Sequence, residues 1–468
     1  MPVHFKLSSF HIKSLKRYNI AMKLNVDLMI EARWLCPVIP SNTLLEQQAI
    51  VIQSGKIIDI CSLALASNKY QAIETVQLSE HILIPGLINL HTHAAMSLMR
   101  GLADDVLLMP WLEEHIWPAE AKLVSPSFVQ DGTLLACAEM LAGGITTFND
   151  MYFYPQSAAA ASIKAGMRAN LGLVVLEFPT QYANDADDYI DKGTAAKDQL
   201  RDEPLISFSF APHAPYTVSD TTFTRIMTLA DQVNIGVHTH IHETQHEIAE
   251  SEKIHGLRPL SRFANLGLLS PTLTLAHCVH LEADEIKLLA AHGCSIAHCP
   301  SSNLKLASGI APITEYAKHG VNIGLGTDGA ASNNRLDMFA EMRLAALLAK
   351  GQSGDASAIT AHQALAMATI NGAKALGLDD KIGSIEIGKL ADLCAIKLTD
   401  IIMQPCFDPV SHLIYVAGRE QVSHVWVNGD LKYHKSTNTS GAYNNIEPHE
   451  LTDIVNKWQT KLNEFRSS

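Results

Sequence analysis

From about Asp27 to Leu83, apolar and polar positions alternate in short runs broken by turn residues, as where Ala49-Ile50-Val51-Ile52-Gln53 leads into Ser54-Gly55-Lys56. Successive side chains on an extended backbone face opposite sides, so this alternation predicts short antiparallel strands. The same texture returns after residue 380, in Gly388-Lys389-Leu390-Ala391-Asp392-Leu393 and Val425-Trp426-Val427-Asn428-Gly429-Asp430. The two flanking β segments are expected to pair into one small β-sandwich. Between them, short apolar runs alternate with helical patterns, the rhythm of βα units around a parallel sheet. Strands are expected to end near His91, Asn149, Leu176, Ala211, His240, His277, His298 and Asp328. Spread over roughly 240 residues, they fit a distorted (β/α)8 TIM barrel, an α/β fold whose active site lies at the carboxyl ends of its strands.

The expected organisation is therefore a disordered extension over residues 1–26, the first part of the sandwich over 27–83, the barrel over 84–380, the second part of the sandwich over 381–435, and a polar tail over 436–468 with a helix from Glu447 to Phe465. The opening segment is basic, but no continuous apolar stretch follows Lys16 and Arg17 as a signal peptide requires, and Met22 offers an alternative start. No apolar run approaches the about 18 residues of a membrane span.

Composition narrows the partners. With 468 residues, 47% hydrophobic and 18% charged, the chain can bury a large core and a small second domain. Its formal charge of −13 comes without a dense Lys/Arg block, which argues against nucleic acid or an anionic membrane as partner and favours a small molecule. The eight cysteines include no Cys-x-x-Cys pair, as expected for free thiols in a reducing cytoplasm. A homo-oligomer is compatible with this composition.

The chemistry concentrates at the predicted strand ends. Pro85-Gly86-Leu87-Ile88-Asn89-Leu90-His91-Thr92-His93 is an apolar strand closing on His-x-His, and alternation puts both imidazoles on one side, within reach of a single metal. Gly236-Val237-His238-Thr239-His240, Leu273-Thr274-Leu275-Ala276-His277 and Ile323-Gly324-Leu325-Gly326-Thr327-Asp328 also close on metal-capable side chains. Any one of these could be a hydrogen-bonded core residue; four strand ends in agreement point to a metal site.

These strands resemble the amidohydrolase superfamily. Leu325-Gly326-Thr327-Asp328-Gly329-Ala330-Ala331-Ser332-Asn333-Asn334, with Asn303-Leu304-Lys305-Leu306 before it, is similar to the methylthioadenosine/S-adenosylhomocysteine deaminase group of its aromatic-deaminase branch. The resemblance implies that His91, His93, His240 and Asp328 bind one divalent metal, usually zinc, with another ion such as Fe2+ admissible. It also implies that His277 holds the attacking water and that Glu243 is the proton shuttle. Dinuclear members need a carboxylated lysine near the end of the fourth strand, and Leu205-Ile206-Ser207-Phe208-Ser209-Phe210-Ala211-Pro212-His213 has none, so one metal per chain is expected. Supporting or solvent-facing places are expected for His238, His242, His246, His280 and His298.

The implied chemistry is hydrolytic removal of an amino group from a purine ring, with 5'-methylthioadenosine the leading substrate and S-adenosylhomocysteine or adenosine less favoured. Glu243 protonates a ring nitrogen, Asp328 accepts a second proton and His277 stabilises developing charge. A long loop after the first strand carries Met96, Met99, Arg100, Met109, Trp111, Trp117 and Glu120. The resemblance gives Trp111 the apolar tail of the substrate, Glu120 the ribose hydroxyls and His213 the nucleoside. Guanine, cytosine or chlorinated triazine substrates remain open, because the metal core is common to the branch. A non-catalytic scaffold would be expected to have lost ligands, and none is missing.

Overall fold

The computed structural model describes Met1, residues 23–435 and residues 441–467. The expected N-terminal extension falls mostly outside them. β1 begins at Leu24, ahead of the expected start at Asp27, because Leu24, Asn25 and Val26 pair with Tyr70, Gln71 and Ala72, partners far along the chain.

The N-terminal alternation forms β1 (Leu24–Leu35), β2 (Leu45–Gln53), β3 (Lys56–Ser62) and β4 (Tyr70–Pro85). The barrel strands follow as β5 (Leu87–Thr92), β6 (Ile145–Tyr152), β7 (Arg168–Val175), β8 (Ile206–Pro212), β9 (Gly236–Ile241), β10 (Leu273–His277), β11 (Ser295–His298) and β12 (Asn322–Leu325). Last come β13 (Leu393–Lys397), β14 (Val422–Val427), β15 (Asp430–His434) and β16 (Ala442–Tyr443).

The flanking segments do join, and they do so as one hydrogen-bonded ladder in the order β16-β15-β14-β13-β4-β1-β2-β3. β13 pairs antiparallel with the end of β4, Leu393 opposite Pro85, while β1 and β4 are parallel. The ladder folds back on itself, since Ala391 N donates to Gly55 O and Ile57 N to Lys389 O. Inside lie Leu28, Ile30, Ile52, Leu83, Leu393 and Trp426, one buried cluster from both ends of the chain.

The second sheet runs in simple sequential order from β5 to β12, all parallel. Strands covered on both faces must be apolar or internally satisfied, and every residue of β5, β6, β7, β10 and β11 is buried. Closure between β12 and β5 is made by Asp328 N donating to His91 O at 2.9 Å and by the Asn89 amide, which bonds Thr327 N and Oγ1. Gly326 permits that approach, because a Cβ there would stand 2.8 Å from His91 N. Pairing of β8 with β9 is limited to Ser209–Gly236 and Phe210–Val237, the expected distortion.

The segment expected as a long loop after β5 is largely helical. Ala94–Met99 forms a 3-10 turn, and Leu108 to Leu123 runs as connected helical turns with a π-type stretch over Trp111–Ile116. The tail helix spans Pro448–Ser467 and is seated by Trp458, whose ring meets Phe128 edge-on at 5.0 Å and whose Nε1 donates to Asp131 Oδ2. Among the described residues no helix is long and apolar enough to cross a membrane.

Candidate active site

The ends of β5, β9, β10 and β12 converge on one point. His91 Nε2 lies 3.2 Å from His240 Nε2 and 3.3 Å from Asp328 Oδ1, and His93 Nε2 lies 3.2 Å from the same carboxylate oxygen. Four donors bound at about 2.1 Å to one tetrahedral ion would stand about 3.4 Å apart, so these spacings fit a single metal. The donor set, three imidazoles and a carboxylate, suits zinc chemically.

Neighbouring groups aim each candidate ligand. His93 Nδ1 donates to Met151 O at 2.6 Å and His240 Nδ1 to His213 O at 2.7 Å, which leaves both Nε2 lone pairs facing the common point. Beneath His91, His238 Nε2 sits 3.1 Å from His91 Nδ1, and the Asn149 amide holds the far side of the His238 ring at 3.0 Å. Ser302 and Ser332 donate to Asp328 Oδ2 at 2.6 and 2.8 Å, and Gly329 N donates to Oδ1. Burial alone would raise the Asp328 carboxyl, but His91 and His93 hold it well below the ordinary carboxylate range. Burial pushes His240 well below its usual value and His91 down to about 4, which keeps both neutral as ligands must be.

Beside this point stand Glu243 and His277. His277 Nδ1 faces Asn303 Oδ1 at 2.8 Å, and its Nε2 lies 3.7 Å from Glu243 Oε2. Ser308 Oγ donates to Glu243 Oε1. Burial raises the Glu243 carboxyl, with His277 opposing and Asp328 adding to the rise, a direction that suits a group moving protons near neutrality. His242, His277 and Asp328 all adopt left-handed backbone, an uncommon conformation that here turns three strand ends toward one spot.

A cavity of about 580 Å3 opens from the ligands, and every residue singled out for substrate lies on its wall. Trp111 is buried, its indole N–H donating to Ala103 O. Glu120 accepts from the Tyr152 hydroxyl at 2.8 Å, and burial pushes its carboxyl up to about 7. His213 lies against the His240 ring at 4.9 Å, and burial lowers it to about 3. Tyr152, Phe178 and Tyr216 share the wall and escaped the sequence reading, since nothing local marks a residue as cavity-facing. Of the other histidines, His238, His242 and His298 are buried and His246 is exposed. Arg100 points away from the cavity, to Glu139 and Asn334 O. Among the described residues lining the cavity there is no lysine or arginine.

This barrel, with its converging histidines and carboxylate, has a recognised counterpart: residues 82–432 match the model of the amidohydrolase family, and the chain belongs to that family. It is 50% identical over 440 residues to a protein of Teredinibacter turnerae named 5-methylthioadenosine/S-adenosylhomocysteine deaminase, covering 93% of this chain and 98% of that one. A Saccharophagus degradans protein of the same name is 45% identical over 449 residues, covering 95% and 99%. Among solved structures, an adenosine deaminase from Xanthomonas campestris with bound zinc superposes with a TM-score of 0.92 at 44% identity, covering 95% of this chain and all of that one.

Proposed function

We propose that the chain is a mononuclear, zinc-dependent hydrolytic deaminase whose principal substrate is 5'-methylthioadenosine, converted to the inosine derivative and ammonia. The observation that supports this reading is the convergence of His91, His93, His240 and Asp328, with three contacts of 3.2, 3.3 and 3.2 Å among them, beside the Glu243–His277 pair at a largely apolar cavity. The names of the relatives and of the zinc-bound structure point the same way.

His91, His93, His240 and Asp328 would hold a divalent metal, whose contribution when bound would be to lower the pKa of a water toward neutrality. Glu243 takes a proton from that water and delivers it to the ring nitrogen beside the amino-bearing carbon, which relieves the aromatic resistance to attack. His277, aimed by Asn303, stabilises the charge that develops on the attacking oxygen. Asp328 accepts the second proton and returns it to the amino group, which leaves as ammonia as the C–N bond breaks. Glu120 receives the ribose hydroxyls, His213 contacts the nucleoside, and Trp111 packs on the methylthio group. The partner is thus a small purine nucleoside, and a cytoplasmic location agrees with the unpaired thiols of all eight cysteines.

The test is an ultraviolet assay of purified protein against adenosine derivatives, guanine, cytosine and triazines. The reading expects adenosine derivatives to be turned over first among these. Faster turnover of guanine, cytosine or a triazine overturns the substrate class while leaving the family standing.

A further inference from the structure

Past His240 the chain must leave β9, turn sharply and present Glu243 to the cavity. The turn is made by His242, whose φ of 55° lies in the left-handed region that a branched-free but bulky side chain enters only when held there. Its N–H and that of Glu243 are buried and point away from any strand partner. A buried backbone donor needs an acceptor.

Glu247 supplies it. One of its carboxylate oxygens accepts from His242 N at 2.9 Å and the other from Glu243 N at 2.8 Å. The carboxylate is buried in the first turn of the helix Gln245–His255, and Thr244 fixes that turn by accepting from Glu247 N at 3.2 Å. The His242 ring is anchored as well, its Nε2 accepting from Leu260 N.

Resting on the reading of Glu243 as proton shuttle, we propose that Glu247 is a positioning residue for it, a two-pronged carboxylate clamp on the amides of His242 and Glu243 that sets where the shuttle's side chain enters the cavity. Glu247 touches neither the metal ligands nor the cavity's closed end. Its direct hydrogen bonds to this region are to the amides of His242 and Glu243, so the main route of its effect on turnover is the placement of Glu243. Burial pushes its carboxyl up to about 7, a rise the two amide donors oppose.

The experiment is Glu247→Gln in the full, metal-loaded chain, made both alone and in the Glu243→Gln background. A glutamine can accept from only one amide and turns a donor toward the other. The expected result is unchanged metal content, faster hydrogen exchange at the amides of His242 and Glu243, and a fall in kcat of about tenfold or more with KM within about twofold. In the Glu243→Gln background the further fall should be less than about twofold, because the group being positioned is already disabled. Equal losses in both backgrounds, lost metal, or unchanged exchange at the two amides would overturn the proposal. Should Glu247→Gln not fold, Thr244→Ala must shift exchange and kcat in the same direction, and no shift in either counts against the clamp. Absence of any deaminase turnover in the unaltered chain would sink the functional reading, whereas exchange at the two amides still reads the clamp.

Discussion

Exchanging the methyl group of methylthioadenosine for the aminocarboxypropyl group of S-adenosylhomocysteine should lower kcat/KM by at least about tenfold, roughly 1.4 kcal/mol in transition-state binding. The thioether is common to both, and its burial against Trp111 contributes on the order of 1–2 kcal/mol to each. They differ in a carboxylate that must find a partner or stay desolvated, and among the described residues of the cavity wall there is no lysine or arginine to meet it. Arg100 is committed to Glu139 and Asn334, and the segment past β7 reads Leu176-Glu177-Phe178-Pro179-Thr180, with an acid and no base. The half-buried Glu120 and the buried Glu243 put two carboxyls, and when ionised like charge, into the same space. Adenosine, lacking the apolar tail, should also fall below methylthioadenosine. The assay is loss of adenine absorbance at matched enzyme concentration, on both thioethers and on Phe178→Arg. Phe178 is 39% exposed on the cavity wall, and a guanidinium there can reach a tail carboxylate, a charged hydrogen bond of about 1.5–3 kcal/mol. The variant should narrow the gap by about tenfold. Equal efficiency of the unaltered chain on the two thioethers refutes the reasoning from the missing cation.

Elemental analysis should find one zinc per chain, and His240→Ala or Asp328→Ala should lose both metal and turnover; two metals per chain at full activity contradict the ligand set. Glu243→Gln should keep the metal and lose about 10²- to 10⁴-fold in kcat, the ordinary range for a proton-transferring group, and near-normal turnover would hand the role to His277. Because burial holds the Glu120 carboxyl near 7, lowering the pH through that value protonates it and removes its capacity to accept from both ribose hydroxyls. KM for methylthioadenosine should then rise between about pH 8 and about pH 6, with no such rise for a 2',3'-dideoxy analogue; parallel profiles for the two would remove Glu120 from ribose recognition.

The barrel was legible because its strands are short, largely apolar runs separated by helical patterns, several of them closing on or beside a polar residue. β5, β9 and β10 end on or beside the residues expected, whereas β12 stops at Leu325, short of the expected end, and Asp328 comes after Gly326 and Thr327. The metal-ligand candidates could be read for the same reason, since strand ends gather at one face whatever the loops do. The walls could not. β6 is buried along its whole length, so alternation does not distinguish Tyr152, which faces the cavity, from Phe148, packed in the core. The helical path from Leu108 to Leu123 was masked by Pro110 and Pro118 and by a π-type stretch that breaks the 3.6-residue period. The supports of the ligands, such as Ser302 and Ser332 on Asp328, come from separate segments and show themselves only in the folded chain.

The seat of the tail helix has a consequence for the order in which the protein is made. Trp458 docks on the helix Pro126–Ala142, whose Gly132 lies against the backbone of Ala95 just past His93. Near its far end the Phe465 ring lies under the Lys122 ammonium, on the helix that carries Glu120. A ribosome has therefore released His91, His93, His240, Asp328 and the whole barrel before the helix that braces the cavity wall exists. A chain cut short after β16 would leave synthesis with those four side chains in place and the cavity wall unsupported, so on the reading proposed above it should still take up metal yet hold a nucleoside poorly.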